Sequence, residues 1–261
     1  MDSAFDTLSF DAEARGLTLH AVRTLAVFAP LPIFGQGVSA RFSKLGLGVV
    51  IAYLAYVPRR AAFVDPGTDA LALLGAAGGE ILFGLLMGLT VKLALQVLRI
   101  AGDLVSQEMG LNLAFQFNPA SGESMPLIGY LYESVGTVLF FALGVHHALL
   151  RALFASFDAL PVGRTPEYER LLPAMLGFGS GMLEAAFRMA APAFFALLLI
   201  GVVLAFLAKV APQWHLIDAG YPLRAAVGLV LIGASAPVLL PLVDGLFARV
   251  REDLARLVVP A

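Results

Sequence analysis

From Ala70 to Ser106 the chain runs without a proline through an almost unbroken apolar, helix-compatible stretch. Taken as one helix at about 1.5 Å per residue it would be over roughly 50 Å long, against a hydrocarbon core of about 30 Å. Such a segment either breaks, with Gly78-Gly79 as the weak point, or projects well beyond a bilayer. A soluble fold could not carry it. Only 14% of the 261 residues are charged and the mean hydropathy is +0.87, too few polar groups for a hydrated exterior. The sequence therefore reads as an integral membrane protein.

Other apolar segments flank this one. Leu17 to Phe34 carries His20 and Arg23 and is a poor lipid-facing span, since each charge at mid-bilayer costs about 2.5–3.5 kcal/mol on insertion scales. Leu45 to Val57 follows, then a polar connection through Arg59, Arg60, Asp65, Pro66 and Gly67. Leu127 to Phe154 forms a further span holding Glu133, with His146-His147 near its far end. Leu171 to Val210 is again too long for one crossing, and Pro192 should kink or break it. Leu223 to Leu242, interrupted by Pro237, is the last span before a charged, amphipathic tail. The expectation is an all-α membrane protein with about six hydrophobic segments, long broken helices and an ordered central loop. Arginines cluster in the termini and in the 58–69 and 151–170 connections, which leans towards both ends being cytoplasmic.

The loop is the stretch 101–126, AGDLVSQEMGLNLAFQFNPASGESMP. Between Gly110 and Gly122 it has no charge, yet Asn112, Asn118, Pro119 and Ser121 make it too broken for a spanning helix. Non-helical backbone at membrane depth is tolerated where it packs in protein or lines a water-filled path. With Phe115 and Phe117 among its turns, the loop reads equally as a plug in a conduit or as an ordinary packed loop.

Reactive residues give little anchor for an enzyme. His146 and His147 are adjacent, so on a helix they point about 100° apart, and no acid nearby completes a metal set. Ser180 follows Gly179 in a glycine-rich run but lacks a serine-protease pattern, and no P-loop is present. Without cysteine there is no thiolate chemistry, and the formal charge of -2 with no basic cluster gives no support for nucleic acid. The acidic N-terminus lacks the basic region of a cleavable signal peptide. Intramembrane Glu80, Lys92, Arg99, Glu133, Glu184 and Arg188 suggest a pathway or paired contacts with helices or partner subunits. Glu184 and Arg188 stand at i,i+4, spaced to neutralise each other. Gly75, Gly79, Gly84 and Gly88 include spacings of four that let a second helix approach closely.

Four blocks in register resemble one family. Gly110-Leu-Asn-Leu-Ala-Phe followed by Asn118-Pro119 is similar to the loop of the flagellar export protein family FliR. Upstream stand Glu80, Gly84, Gly88 and Arg99. Downstream, Gly144 to Gly163 resembles the family's His-His and Leu-Pro-x-Gly block. Late in the chain, Lys209, Pro212-Gln213 and Gly220-Tyr-Pro222-Leu-Arg224 resemble its proline-rich joint. The resemblance implies a non-catalytic subunit, without cofactor or metal, of the type III export gate in the bacterial inner membrane, at the flagellar basal body. It implies FliP-like and FliQ-like partners, with FlhB- and FlhA-like export proteins nearby, and unfolded protein substrates passing through the assembly. It also implies a FliP-like half (1–165) followed by a FliQ-like hairpin half (166–261), with the loop at Gly110 to Pro119 plugging the closed channel. Gly110 and Gly122 would then be hinges, with Phe115 and Phe117 filling the lumen. The virulence secretion paralogue and, from another class, a small-molecule permease are the alternatives.

Overall fold

The computed structural model describes residues 2–32, 38–67, 69–111, 127–163, 168–212 and 216–258. Among them are seven α-helices and no strand: α1 (Asp2–Phe28), α2 (Val38–Tyr56), α3 (Ala70–Glu108), α4 (Leu127–Ala142), α5 (Val145–Ala159), α6 (Tyr168–Val210) and α7 (Leu216–Val258). A short 3-10 helix over Val57–Ala62 follows α2. Four helices are long and apolar enough to cross a membrane, and α4 with α5 adds a fifth if counted as one broken span. The protein is an all-α membrane protein.

Several boundaries differ from the sequence expectation, each for a local reason. The α3 helix does not break at Gly78-Gly79 and runs unbroken for 39 residues. Two glycines cost only about 2 kcal/mol together, less than helix ends at membrane depth would lose in unpaired backbone groups. The expected single span from Leu127 to Phe154 is instead broken at Gly144, whose φ of +69° is a left-handed conformation that suits glycine. Pro192 does not end α6, and α7 runs through Pro222, Pro237 and Pro241. Apolar helices tolerate prolines where hydroxyls and neighbouring helices take up the freed carbonyls.

The chain divides into two interleaved compact units, with the division falling inside α3 between Lys92 and Leu93. The first comprises Met1–Lys92, Gly144–Phe178 and Arg249–Ala261. In it α1 is the central element: Gly48 of α2 fits over the Leu25 side chain, and Gly84 and Gly88 of α3 fit against the backbone of Arg23 and Val27. His20 stacks on Phe157 of α5 at 4.8 Å and meets the Tyr56 ring edge-on at 5.3 Å. Arg15 and Asp65 close the outer end of this unit with an ion pair at 2.6 Å.

The second unit comprises Leu93–Leu143 and Gly179–Ala248. Gly102 of α3 and Gly129 of α4 cross backbone to backbone, for a Cβ on Gly102 would lie 2.6 Å from the Ile128 carbonyl. Phe140 and Phe247, both fully buried, meet edge-on at 6.2 Å. Within this unit Gly228 of α7 seats the Met109 side chain, and Gly201 of α6 seats the Arg224 guanidinium.

The Arg15–Asp65 pair lies outside the spanning helices and gives a pH signature. The Arg15 guanidinium, donating to both Asp65 oxygens, holds that carboxyl below its ordinary value. The folded value being the lower one, the stabilisation is complete above the unfolded carboxylate range and is lost as pH falls through the folded value. NMR titration of the Asp65 carboxyl should show a depressed midpoint, and Arg15→Gln should return it to the ordinary range.

Candidate functional site

Two constellations gather the polar groups of the apolar helices, one in each unit. In the first unit, Arg23 of α1 and Glu80 of α3 form an ion pair through Nε and Oε2, with side chains only 4% and 1% exposed. The remaining guanidinium hydrogens donate to the Ser156 carbonyl (3.0 Å), the Ser156 hydroxyl (3.3 Å) and the Leu160 carbonyl (3.0 Å). Arg23 thus caps the C-terminal end of α5, where unpaired carbonyls and the helix dipole favour a cation. Phe83 and Phe157 flank the guanidinium at 5.2 and 4.9 Å. The second Glu80 oxygen accepts the amide of Gly163 at 3.2 Å. Gly163 stands at φ +96° and packs against the Val64 carbonyl, so the turn after α5 is fixed from both sides. Arg59 and Asp158 add a bidentate pair at the same end of α5.

The second constellation lies at the root of the central loop. The last turn of α3 ends in a Schellman motif: the Leu111 amide bonds the Ser106 carbonyl (3.3 Å) and the Gly110 amide bonds that of Gln107 (3.1 Å). Gly110 takes the left-handed conformation this motif requires, φ +74°, and its open face abuts the Tyr221 ring. Gly110 is therefore the residue that stops α3. About three turns earlier, Arg99 pairs with Glu133 of α4 at 3.2 Å and lies over the Tyr130 ring at 4.5 Å. With the Gly102–Gly129 crossing, these contacts clamp both feet of the 112–126 segment, the end of α3 and the start of α4, to each other. Asn112, Phe115, Phe117, Asn118, Pro119 and Gly122 themselves lie outside the described residues, as does Gln213.

The other sequence candidates are distributed. Glu184 and Arg188 pair at 2.5 Å on the exposed face of α6, both side chains more than half open. His146 and His147 tilt against each other at 3.9 Å in the first turn of α5. Gly75 meets no atom within 4 Å, whereas Gly84 and Gly88 are filled by α1. Lys209 occupies the last turn of α6, where its charge suits the dipole, and Pro212 stands two residues beyond the helix end. The expected joint from Lys209 to Pro222 is shorter than its sequence suggests. The helix α7 already starts at Leu216, so Gly220, Pro222 and Arg224 are helical. Sequence reasoning placed Arg23 in a poor span but missed its partner and its role as the cap of α5. The partners are 57 and 133 residues away, and only the charge of Arg23 hints that one is needed.

The helices also differ in how much of their apolar surface the chain covers. The most apolar stretch of α3 is 61% buried, against 11% in α6 and 17% in α7. Phe195, Val202, Phe206 and Val230 all stand more than half exposed. Such a protein belongs to the class of all-α membrane proteins with long, exposed apolar helices, here with a buried Arg23–Glu80 pair. More narrowly, residues 15–250 match the family described as "Bacterial export proteins, family 1", and the chain belongs to that family. It is 30% identical to the flagellar biosynthetic protein FliR of Escherichia coli (strain K12), over 91% of this chain and 90% of the relative. It is 29% identical to FliR of Pectobacterium carotovorum subsp. carotovorum, over 90% and 89%. The Yop proteins translocation protein T of Yersinia pestis is 28% identical over 82% of this chain and 83% of its own length.

Proposed function

We propose that this chain is a structural and gating subunit of a flagellar type III protein export apparatus in the bacterial inner membrane. The observation that carries the reading is the family match over residues 15–250, with flagellar relatives aligned along nearly their whole length. The open hairpin α6–α7 supports it, because an apolar surface this extensive calls for lipid or neighbouring helices. The expected neighbours are FliP-like and FliQ-like subunits, with FlhA- and FlhB-like proteins beside them. Residues 1–165 would form the FliP-like half and 166–261 the FliQ-like half. The role is binding and passage of an unfolded chain, not catalysis.

In this reading the gate is the central loop. The Gly102–Gly129 crossing and the Arg99–Glu133 pair hold α3 to α4, and the reading assigns the gating movement to the residues between the two helices. A loop without charge suits a path for unfolded chains, because a passing segment carries every residue type and a charged lumen would retain it. The plug would be Phe115 and Phe117, carried between the Asn112 and Asn118 turns.

Co-expression with the neighbouring export genes, purification in mild detergent and native mass spectrometry test the reading. A defined hetero-oligomer containing this chain supports it, and a monomer indifferent to its neighbours argues for a permease instead. The virulence paralogue is the second reading, favoured by the similarity to the Yersinia pestis protein. Rescue of motility in a flagellar mutant, without rescue of secretion in an injectisome mutant, separates the two.

A further inference from the structure

Among the described residues of the second unit, Lys209 and Arg224 have no carboxylate within ion-pair distance; Lys209 is exposed, whereas Arg224 holds a buried nitrogen without a partner. Along α7, Gly220, Arg224 and Gly228 follow one another at single-turn spacing, and each meets a neighbour in the same unit: Gly220 meets Leu204, Arg224 lies on Gly201 and Gly228 meets Met109. Gly201 has no side chain to compete for this space. A Cβ there would lie 3.2 Å from Nη2 and 3.3 Å from Cζ of Arg224. The Nε of Arg224 is buried with no hydrogen-bond partner, and no ion pair to Arg224 occurs among the described residues. Arg99 and Arg188 of the same unit both have carboxylates within reach. An unpaired guanidinium in an apolar helix pair is costly and marks a contact yet to be made.

Two sources could supply the missing anion, a lipid headgroup or a carboxylate on another helix. A lipid-facing arginine stretches along its stem towards the interface. Arg224 instead folds onto Gly201 at its own level, about two turns from the joint that links α6 to α7. Around it the hairpin presents exposed Val202, Phe206, Tyr221 and Leu223. An apolar surface with one held guanidinium is complementary to an apolar helix with one carboxylate.

We propose that Arg224 is the receptor for a carboxylate carried by an apolar helix of a neighbouring subunit that docks on the α6–α7 hairpin. The inference rests on the reading of this chain as a member of a hetero-oligomeric assembly. The pair would set the register of that helix, since apolar contacts alone permit sliding and a single buried charge pair does not.

The test uses the full chain co-expressed with its neighbouring export subunits, with complex quantified by native mass spectrometry and free chain by its level in membranes. Arg224→Gln should lower recovered complex on the order of thirty-fold while the membrane level of the chain stays the same. Arg224→Lys should recover part of the yield, and Arg224→Glu should assemble only when one partner carboxylate is replaced by lysine. If Arg224→Gln reduces the chain's membrane level, replacement of each partner Asp or Glu by its amide decides, and one of them must reproduce the loss with this chain intact. The inference is overturned if Arg224→Gln assembles as the parent does, if no partner carboxylate matters, or if added anionic lipid alone restores the variant. A parent chain that remains monomeric overturns the assembly reading itself.

Discussion

Glu80→Ala should destabilise the purified chain by about 3–5 kcal/mol, among the largest effects of any single substitution outside the central loop. The reason lies in what stays behind. Arg23 is buried in α1 between Phe83 and Phe157, and removing its carboxylate leaves the charge there with only carbonyl and hydroxyl partners. The Gly163 amide loses its acceptor at the same time, which frees the turn beyond α5. Glu80→Gln should cost less, because an amide oxygen can still accept from either donor. The double change Arg23→Met with Glu80→Leu should be far less damaging than Glu80→Ala, since the desolvation cost of both charges disappears together. Unfolding in mixed detergent micelles measures all three. If the double variant proved as unstable as the sum of its single changes, the ion pair would not be the origin of the effect.

The contrast between Arg23 and Gly144 shows what a single sequence can and cannot disclose. Helix content and membrane character were legible, because long apolar runs with so few charges leave no other solution. The end of α3 was legible as well, since Gly110 and the uncharged turn residues after it mark the passage from helix to loop, although the left-handed stop at Gly110 was not foreseen. Interior breaks were not. Gly78-Gly79 and Pro192 carry strong breaking signals but are overridden, while Gly144, one glycine among 26, is where a span divides. In an apolar medium the cost of exposing backbone groups outweighs local propensity, so breaks occur where tertiary partners fix the turn. Arg23 announces that a counter-charge is required, but Glu80, Ser156 and Leu160 are joined to it by the fold alone. The clamp at the loop root was hidden for the same reason: Gly102 and Gly129 look like any other small residues until α3 and α4 are crossed.

The glycine row of α3 gives the sharpest test of that distinction, because sequence treats its members alike and packing does not. Gly84→Ala and Gly88→Ala should each destabilise the chain by about 2–3 kcal/mol. At Gly84 a Cβ would overlap the Arg23 carbonyl and lie 2.7 Å from the Ala26 Cβ, and at Gly88 it would overlap the Val27 carbonyl and lie 2.7 Å from Pro30. Backbone atoms of α1 cannot swing aside as a flexible side chain can, so the two helices must separate. That separation also pulls Arg23 from Glu80, which lies one turn before Gly84 on the same helix. Gly75→Ala offers the control, because nothing stands within 4 Å of a Cβ there and the exchange should gain up to about 1 kcal/mol of helix propensity. Comparing the three variants under the same denaturing conditions separates helix propensity from interhelical contact. Equal effects at positions 75, 84 and 88 would mean that α1 does not seat on the later two glycines. A large loss confined to 84 and 88 would place the closest contact of the first unit at the turn of α1 that also positions its buried arginine.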